Sequence, residues 1–307
     1  MLSNHLKSLL ERVDRGKSLI DRHRPLSKSI VQRLHEQMVI EWTYHSNAIE
    51  GNTLTLKETA LILKEGLTIG GKSFREHLEV INHKDAILFV EELANKKNQI
   101  TERDLKDIHA LILKEIDQKY AGRYRDVRVR ITGTKHVPPE PFHVPELMKK
   151  FSEKYLHHFS GHPIEQAALA HHQIASIHPF VDGNGRTARL LMNLILIKNG
   201  YPPTIILNND RKKYYSALAK ADESDTMPFI QFIARSVERS LALYMEAIPE
   251  LQDQLVTFAQ AEKISSYSRH YLGVMARRGV IPAFKLKRNW LIFRHALKKY
   301  EKRQKKN

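Results

Sequence analysis

The sequence predicts a mainly α-helical protein with one short β-hairpin and a small, basic C-terminal domain, and three observations carry that expectation. Apolar residues recur at the 3.6-residue helical period through most of the chain, between breaks such as Gly70-Gly71, Gly161-His162-Pro163 and Tyr201-Pro202-Pro203. One stretch, Val127 to Val137, instead alternates apolar and polar residues around Gly133 and ends in Pro138-Pro139. Residues 255–307 hold fourteen Lys/Arg against two Glu, which is +12 of the +16 formal net charge of the 307-residue chain. The length suits two or three domains with a substantial core. The expected division is a helical region over 1–95, a core over 96–245 and the basic domain over 255–307.

In chain order, Met1-Leu2-Ser3-Asn4-His5-Leu6-Lys7 lacks the apolar run of a signal peptide, and no stretch is apolar enough to span a bilayer. A cytoplasmic protein without membrane contact is therefore expected. The chain contains no cysteine, which excludes disulfides, thiol nucleophiles and Cys-based zinc sites. Val31, Leu34, Met38, Val39, Trp42 and Ile49 have helical spacing over Lys28 to Ile49, and Gly51 is a C′ stop. Glu50 then lies at the negative end of a helix, where a carboxylate calls for a cation unless water solvates it. The alternation in Val127 to Val137 reads as a hairpin, either structural or a binding edge.

Leu190 to Gly200 read as a buried helix stopped by Gly200, so Gly183, Asn184 and Gly185 lie at its N-terminus. Free N–H groups and the positive dipole end attract an anion there. Arg186 and Arg189 share a face of the first turn, where the dipole disfavours cations unless something negative lies between them. The two glycines let backbone approach phosphate oxygens, Asp182 can hold a Mg²⁺ that bridges phosphates, and His178 is near enough to serve as a base. The plainer alternative is a capped core helix preceded by a buried histidine. His171 and His172 could be imagined as metal ligands with His178, but adjacent helical residues point apart; packing is expected for them and for His77 and His83.

His178-Pro179-Phe180-Val181-Asp182-Gly183-Asn184-Gly185-Arg186-Thr187-Ala188-Arg189 resembles the signature of the Fic family, His-x-Phe-x-Asp/Glu-Gly-Asn-Gly-Arg-x-x-Arg, at every fixed position. The resemblance implies a Fic fold with a helical core over 96–245 and ATP with Mg²⁺ as the nucleotide substrate. It implies His178 as general base toward a Ser, Thr or Tyr hydroxyl of a target protein and Asp182 as the Mg²⁺ ligand. Gly183, Asn184 and Gly185 would cradle the α- and β-phosphates, Arg186 the outer phosphates and Arg189 the γ-phosphate. Ser46-Asn47-Ala48-Ile49-Glu50-Gly51-Asn52 resembles the inhibitory motif of class II Fic proteins, in which the Glu, here Glu50 with Ser46 in its motif, pairs with the second signature Arg. In some relatives the same Glu also positions a water for removing AMP. The hairpin would be the flap that pairs with an extended target segment, through Val129, Arg130, Ile131 and Thr132. Gly51 to Leu56, Ala121 to Arg125 and Ala167 to Pro203 extend the likeness to about residues 30–240. Tyr214-Tyr215 fall where the family places an aromatic against the nucleoside, with Tyr215 the choice for adenine and core packing the alternative for either. Asp222 departs from the Asn that relatives often carry near the base. Gly185 favours nucleotidyl transfer over the kinase-like variant, which has Lys there; UMP or phosphocholine transfer stays open, since a phosphate cradle does not read the base.

In the tail, Thr257 to Ala261, Ser268 to Leu272 and Arg277 to Ile292 resemble excisionase-like winged helix-turn-helix domains. The helix opened by Ser268 would be the recognition helix and Lys285 to Ile292 the wing. The expected function is a protein adenylyltransferase auto-inhibited by Glu50, with AMP removal as a further activity. The alternative is a DNA-binding regulator or toxin-like module whose Fic core uses another nucleotide donor. Expected partners are a target protein with a hydroxyl side chain and, through the tail, duplex DNA; a homodimer is compatible with the sequence, as is a tail used only for docking.

Overall fold

The computed structural model describes residues 4–252, 254–278, 280–281, 283–286 and 289–304. Met1 to Ser3 in the leader reading, Gly279 and Pro282 in the tail motif, Lys287 and Arg288 in the expected wing, and the last three residues of the basic tail lie outside the described residues. The helices are α1 (Asn4–Asp21), α2 (Lys28–Ile49), α3 (Leu56–Glu65), α4 (Phe74–Asn95), α5 (Glu102–Ile112), α6 (Val144–Phe151), α7 (Pro163–Ile177), α8 (Asn184–Lys198), α9 (Arg211–Asp222), α10 (Met227–Ala247) and α11 (Pro249–Gln252). Then follow β1 (Leu255–Thr257), α12 (Phe258–Ile264), α13 (Arg269–Arg277), β2 (Ala283–Leu286), β3 (Asn289–Phe293) and α14 (Arg294–Gln304). Among the described residues no helix is long and apolar enough to cross a membrane.

The chain forms two compact units, and packing rather than chain order defines them: Glu36–Ile233 is one, and Met1–His35 with Ala234–Asn307 is the other. The larger unit is built around α8, which packs against α7, α4 and α5. Residues on every side of α8 are buried, including Leu190, Leu191, Met192, Leu194 and Ile195, so it is a core helix rather than an amphipathic surface one. Local chemistry starts and stops its neighbours. Thr55 with Glu58, Ser73 with Glu76 and Thr101 with Asp104 form capping boxes on α3, α4 and α5. Glu76 also accepts from the Thr53 N–H and hydroxyl, and with the Ser73 bonds these hold its carboxyl down at about 2. Helix α2 ends as its apolar spacing expects, with Gly51 at φ 104, and Gly200 at φ 79 closes α8.

The smaller unit joins the apolar face of α1 (Leu6, Leu9, Val13) to the second half of α10 and the C-terminal elements. Arg12 Nε donates to Glu238 Oε1 at 2.9 Å with both side chains buried, and Gly16 lies against Leu241 and Phe284. Its sheet is antiparallel in the order β1-β3-β2, with Val256 opposite Ile292 and Phe284 opposite Leu291.

The hairpin expected over Val127 to Val137 is corrected by the structure: the segment contains a turn at Thr132-Gly133, with Gly133 at φ 82, but no paired strands. A two-stranded ribbon without a third strand is marginal, and Pro138 and Pro139 offer no N–H donors to a ladder. The alternation survives in burial only over residues 129–132, where Val129 and Ile131 are half-buried and Arg130 and Thr132 exposed; Val127 and Val137 are exposed.

Candidate functional site

The site lies where α7 runs into α8. Helix α7 stops because His178 takes the left-handed conformation, φ 51 and ψ 59, with its N–H bonded to Ile174 O at 2.9 Å. This costly geometry for a non-glycine residue is held by Arg125, which is buried and donates to His178 O at 2.8 Å, Val127 O at 3.1 Å and Pro139 O at 2.5 Å. One guanidinium thus fastens the His178 turn to both ends of the Val127–Pro139 segment. The His178 ring places Nδ1 3.2 Å from Ala175 O; a carbonyl only accepts, so Nδ1 carries the proton and Nε2 keeps a lone pair. Burial, aided by nearby Arg125, lowers the His178 pKa and keeps the ring neutral near pH 7.

Past the turn, Asn184 uses its side chain to brace the loop, accepting from Phe180 N–H and donating to Phe180 O, both at 2.9 Å. Gly183 caps α8 at φ 77, a conformation that suits glycine. His109 accepts from Gly122 N–H at 3.0 Å and donates to Asp182 O at 2.9 Å while stacking on Phe180 at 3.7 Å. Burial pushes its pKa down to about 4.

Glu50 reaches the N-terminus of α8 from the end of α2. Its Oε1 is 2.8 Å from Arg189 Nη2. A Cβ added to Gly185 would collide with that same oxygen and meet Glu50 Cδ at 3.1 Å, so the carboxylate rests directly on the glycine. Arg189 is otherwise saturated: it donates to Ser46 Oγ at 3.0 Å and Ser46 O at 2.8 Å, and lies 3.5 Å from the Tyr214 hydroxyl. Burial opposes its charge, but Glu50 more than compensates and raises its pKa. Arg186 is different. It is buried, its Nε has no partner, and its ion-pair contacts are long, 3.5 Å to Glu79 and 3.8 Å to Asp182.

Asp182 is half-exposed. Its Oδ1 accepts from Gly183 N–H at 2.6 Å and its Oδ2 from Arg75 Nη2 at 2.7 Å. Although burial pushes the other way, Arg186, the Gly183 N–H and Arg75 hold its carboxyl below the usual range. Among the described residues no three His, Cys, Asp or Glu cluster as a metal cage. A half-exposed carboxylate beside a helix N-terminus and the buried Arg186 nevertheless fits Mg²⁺, which takes most of its ligands from water and phosphates.

Tyr214 is core, its hydroxyl 3.0 Å from His171 Nε2, whereas Tyr215 is 38% exposed with the Arg211 guanidinium 4.8 Å above its ring. His172 bonds Asp222 at 2.8 Å. His77 braces the loop before α4 through Ile69 N–H and Ser73 O, and His83 is fully enclosed. The structure therefore gathers His178, Asp182, Gly183, Asn184, Gly185, Arg186, Arg189, Ser46 and Glu50 at one helix N-terminus. The sequence reading missed Arg75, Glu79, His109 and Arg125. Arg75 alone had a local signal, since an arginine in the first turn of a helix needs a nearby acid.

Residues 99–196 match the Fic/DOC family. "Protein adenylyltransferase Fic" of Culex quinquefasciatus is 40% identical over 256 residues, 82% of this chain and 50% of that protein. The chain thus spans about half the length of the curated relatives it matches. Among solved structures, a Fic domain containing signalling protein from Bacteroides thetaiotaomicron aligns at TM-score 0.69 and 29% identity, over 81% of this chain and 98% of that one. Residues 134–508 of Fic-1 from C. elegans align at TM-score 0.72 and 35% identity, covering 80% of this chain and 73% of that one. That identity across most of both chains, on a shared fold and with the helix-opening loop inside the matched span, establishes that this chain belongs to the Fic family.

Proposed function

We propose that the chain is a protein adenylyltransferase, transferring AMP from ATP to a hydroxyl side chain of a target protein and held off by Glu50. The observation that carries this reading is the Glu50 carboxylate seated on Gly185 and paired with Arg189, while buried Arg186 beside it keeps an unpartnered donor. One anion fills part of a cradle made for a larger one. In the reaction, His178 Nε2 takes the proton of the target hydroxyl, whose oxygen bonds to the α-phosphorus. The bond from that phosphorus to the bridging oxygen of the β-phosphate breaks, and pyrophosphate leaves. The backbone of Gly183, Asn184 and Gly185 and the two arginines meet the charge that develops on the phosphate oxygens. Asp182 would hold Mg²⁺, which when bound neutralises phosphate charge. Tyr215 is the side chain offered to adenine, and Val129, Arg130, Ile131 and Thr132 are the edge offered to an extended target segment.

Inhibition follows from competition. The γ-phosphate reaches Arg189 only when Glu50 leaves, and a charge-assisted pair contributes on the order of 1.5–3 kcal/mol, which suppresses the competent state roughly tenfold to a hundredfold. The relatives named protein adenylyltransferase support the reading of the donor as ATP. The test is intact mass spectrometry after incubation with ATP and Mg²⁺. The Glu50→Gly chain gains the mass of one or more AMP groups, and Glu50→Gly with His178→Ala gains none. Equal modification of the wild type would refute the inhibitory role.

A second reading is compatible with the first: a winged helix-turn-helix at residues 255–307 that binds duplex DNA. It draws support from the order β1-α12-α13-β2-β3, from Ser268 capping α13, and from exposed Arg269, His270, Arg277 and Arg278. A groove of about 710 Å³ includes Ser268, Arg269, His270, Arg277 and Trp290 in its lining.

A further inference from the structure

We propose that Arg75 sets the divalent-cation affinity of the nucleotide site by serving as the counter-ion of Asp182 when no metal is present. The inference rests on the reading of Asp182 as the cation ligand.

The two oxygens of Asp182 have different neighbours. Oδ1 is committed to the Gly183 N–H at 2.6 Å, with Arg186 Nη2 at 3.8 Å. Oδ2 is the oxygen left for an incoming cation, and Arg75 Nη2 stands 2.7 Å from it. A divalent ion and a guanidinium held at hydrogen-bond distance on the same carboxylate oxygen repel each other, so each weakens the hold of the other on Asp182. Entry of the ion therefore competes with Arg75 and favours its departure.

Arg75 is built to depart. It lies on the first turn of α4, where the helix dipole disfavours a cation, and its side chain is 57% exposed. Arg186, by contrast, is only 3% exposed and cannot swing into water. Glu79, one turn along α4, gives the displaced guanidinium a fixed acceptor: its Oε1 is already 3.4 Å from Arg75 Nε. Glu79 is itself held by Asn52 at 2.9 Å and Arg186 at 3.5 Å, so it stays in place when Asp182 changes partner. Arg75 balances the charge of Asp182 in the resting site, and the cost of removing it is subtracted from every metal-binding event.

The test uses the full chain carrying Glu50→Gly, with Mn²⁺ and the non-transferable α,β-methylene analogue of ATP, and reads free Mn²⁺ by electron paramagnetic resonance. Arg75→Gln is expected to tighten Mn²⁺ about two- to fivefold, the range of an exposed ion pair. Arg75→Lys is expected to stay near the parent, because the charge remains. Adding Asp182→Asn should weaken Mn²⁺ and erase the difference between the parent and its Arg75→Gln derivative. Unchanged affinity in Arg75→Gln overturns the proposal, and weaker affinity overturns it in favour of Arg75 as a phosphate ligand. If Asp182→Asn leaves Mn²⁺ affinity unchanged, the reading of Asp182 fails as well, and that outcome separates the two failures.

Discussion

Arg186 and Arg189 lie one turn apart on the same helix, yet only Arg189 is satisfied: Glu50, Ser46 and Tyr214 take its donors, while Arg186 has two long ion-pair contacts and a bare Nε. A buried donor without a partner costs about 1–3 kcal/mol, so the resting site stores part of its affinity for an anion. His178 belongs to the same scale. Its depressed pKa keeps Nε2 unprotonated, so transfer by the Glu50→Gly chain should be flat above neutral pH and fall on acidification with one apparent pKa below 6.5. A pH–rate profile that bends above pH 7 would assign the base elsewhere. Nearly all of this cluster was legible in the sequence, because the motif residues are contiguous and the helix-opening pattern places them. Arg125 was not, since nothing local marks a guanidinium whose partners are backbone carbonyls of residues 127, 139 and 178.

At the scale of elements, the end of α2 and the start of α8 form one electrostatic joint: a carboxylate leaves the negative end of one helix and meets the positive end of the other. The turn between α7 and α8 is the second joint, and Arg125 is its fastening. Arg125→Lys keeps the charge but loses the fork that reaches several carbonyls. Its transfer rate in the Glu50→Gly background is expected to fall about tenfold, through misplacement of His178, with nucleotide binding little changed. Single-turnover rates beside a nucleotide titration check this, and a loss confined to nucleotide affinity would contradict it. Helices α2 and α8 were expected within a residue or two because their periods and glycine stops are local signals. The hairpin over 127–137 misled: its alternation matches burial only over residues 129–132, with Val127 and Val137 exposed, and a two-stranded ribbon needs a third strand that this unit does not supply.

For the whole molecule, the grouping of residues 1–35 with 234–307 had no signature in the sequence, because buried pairs such as Arg12 with Glu238 join residues hundreds of positions apart. Charge was legible from composition alone, with +12 of the +16 in the last 53 residues. If that region binds duplex DNA, affinity should fall steeply with salt, and Arg269→Ala with Arg277→Ala should reduce both the affinity and the salt slope. Fluorescence anisotropy of a labelled duplex with the full chain reads both. Weak binding that is insensitive to salt and to these substitutions would leave the region a packing module.

The most direct test of auto-inhibited AMP transfer is label transfer from ATP carrying ³²P at the α-phosphate, with a γ-labelled control, in the wild type, Glu50→Gly, and Glu50→Gly with His178→Ala. Only Glu50→Gly is expected to label itself or a target protein, and only from the α-phosphate. Labelling from the γ-phosphate, or equal α-labelling with and without His178, would contradict it.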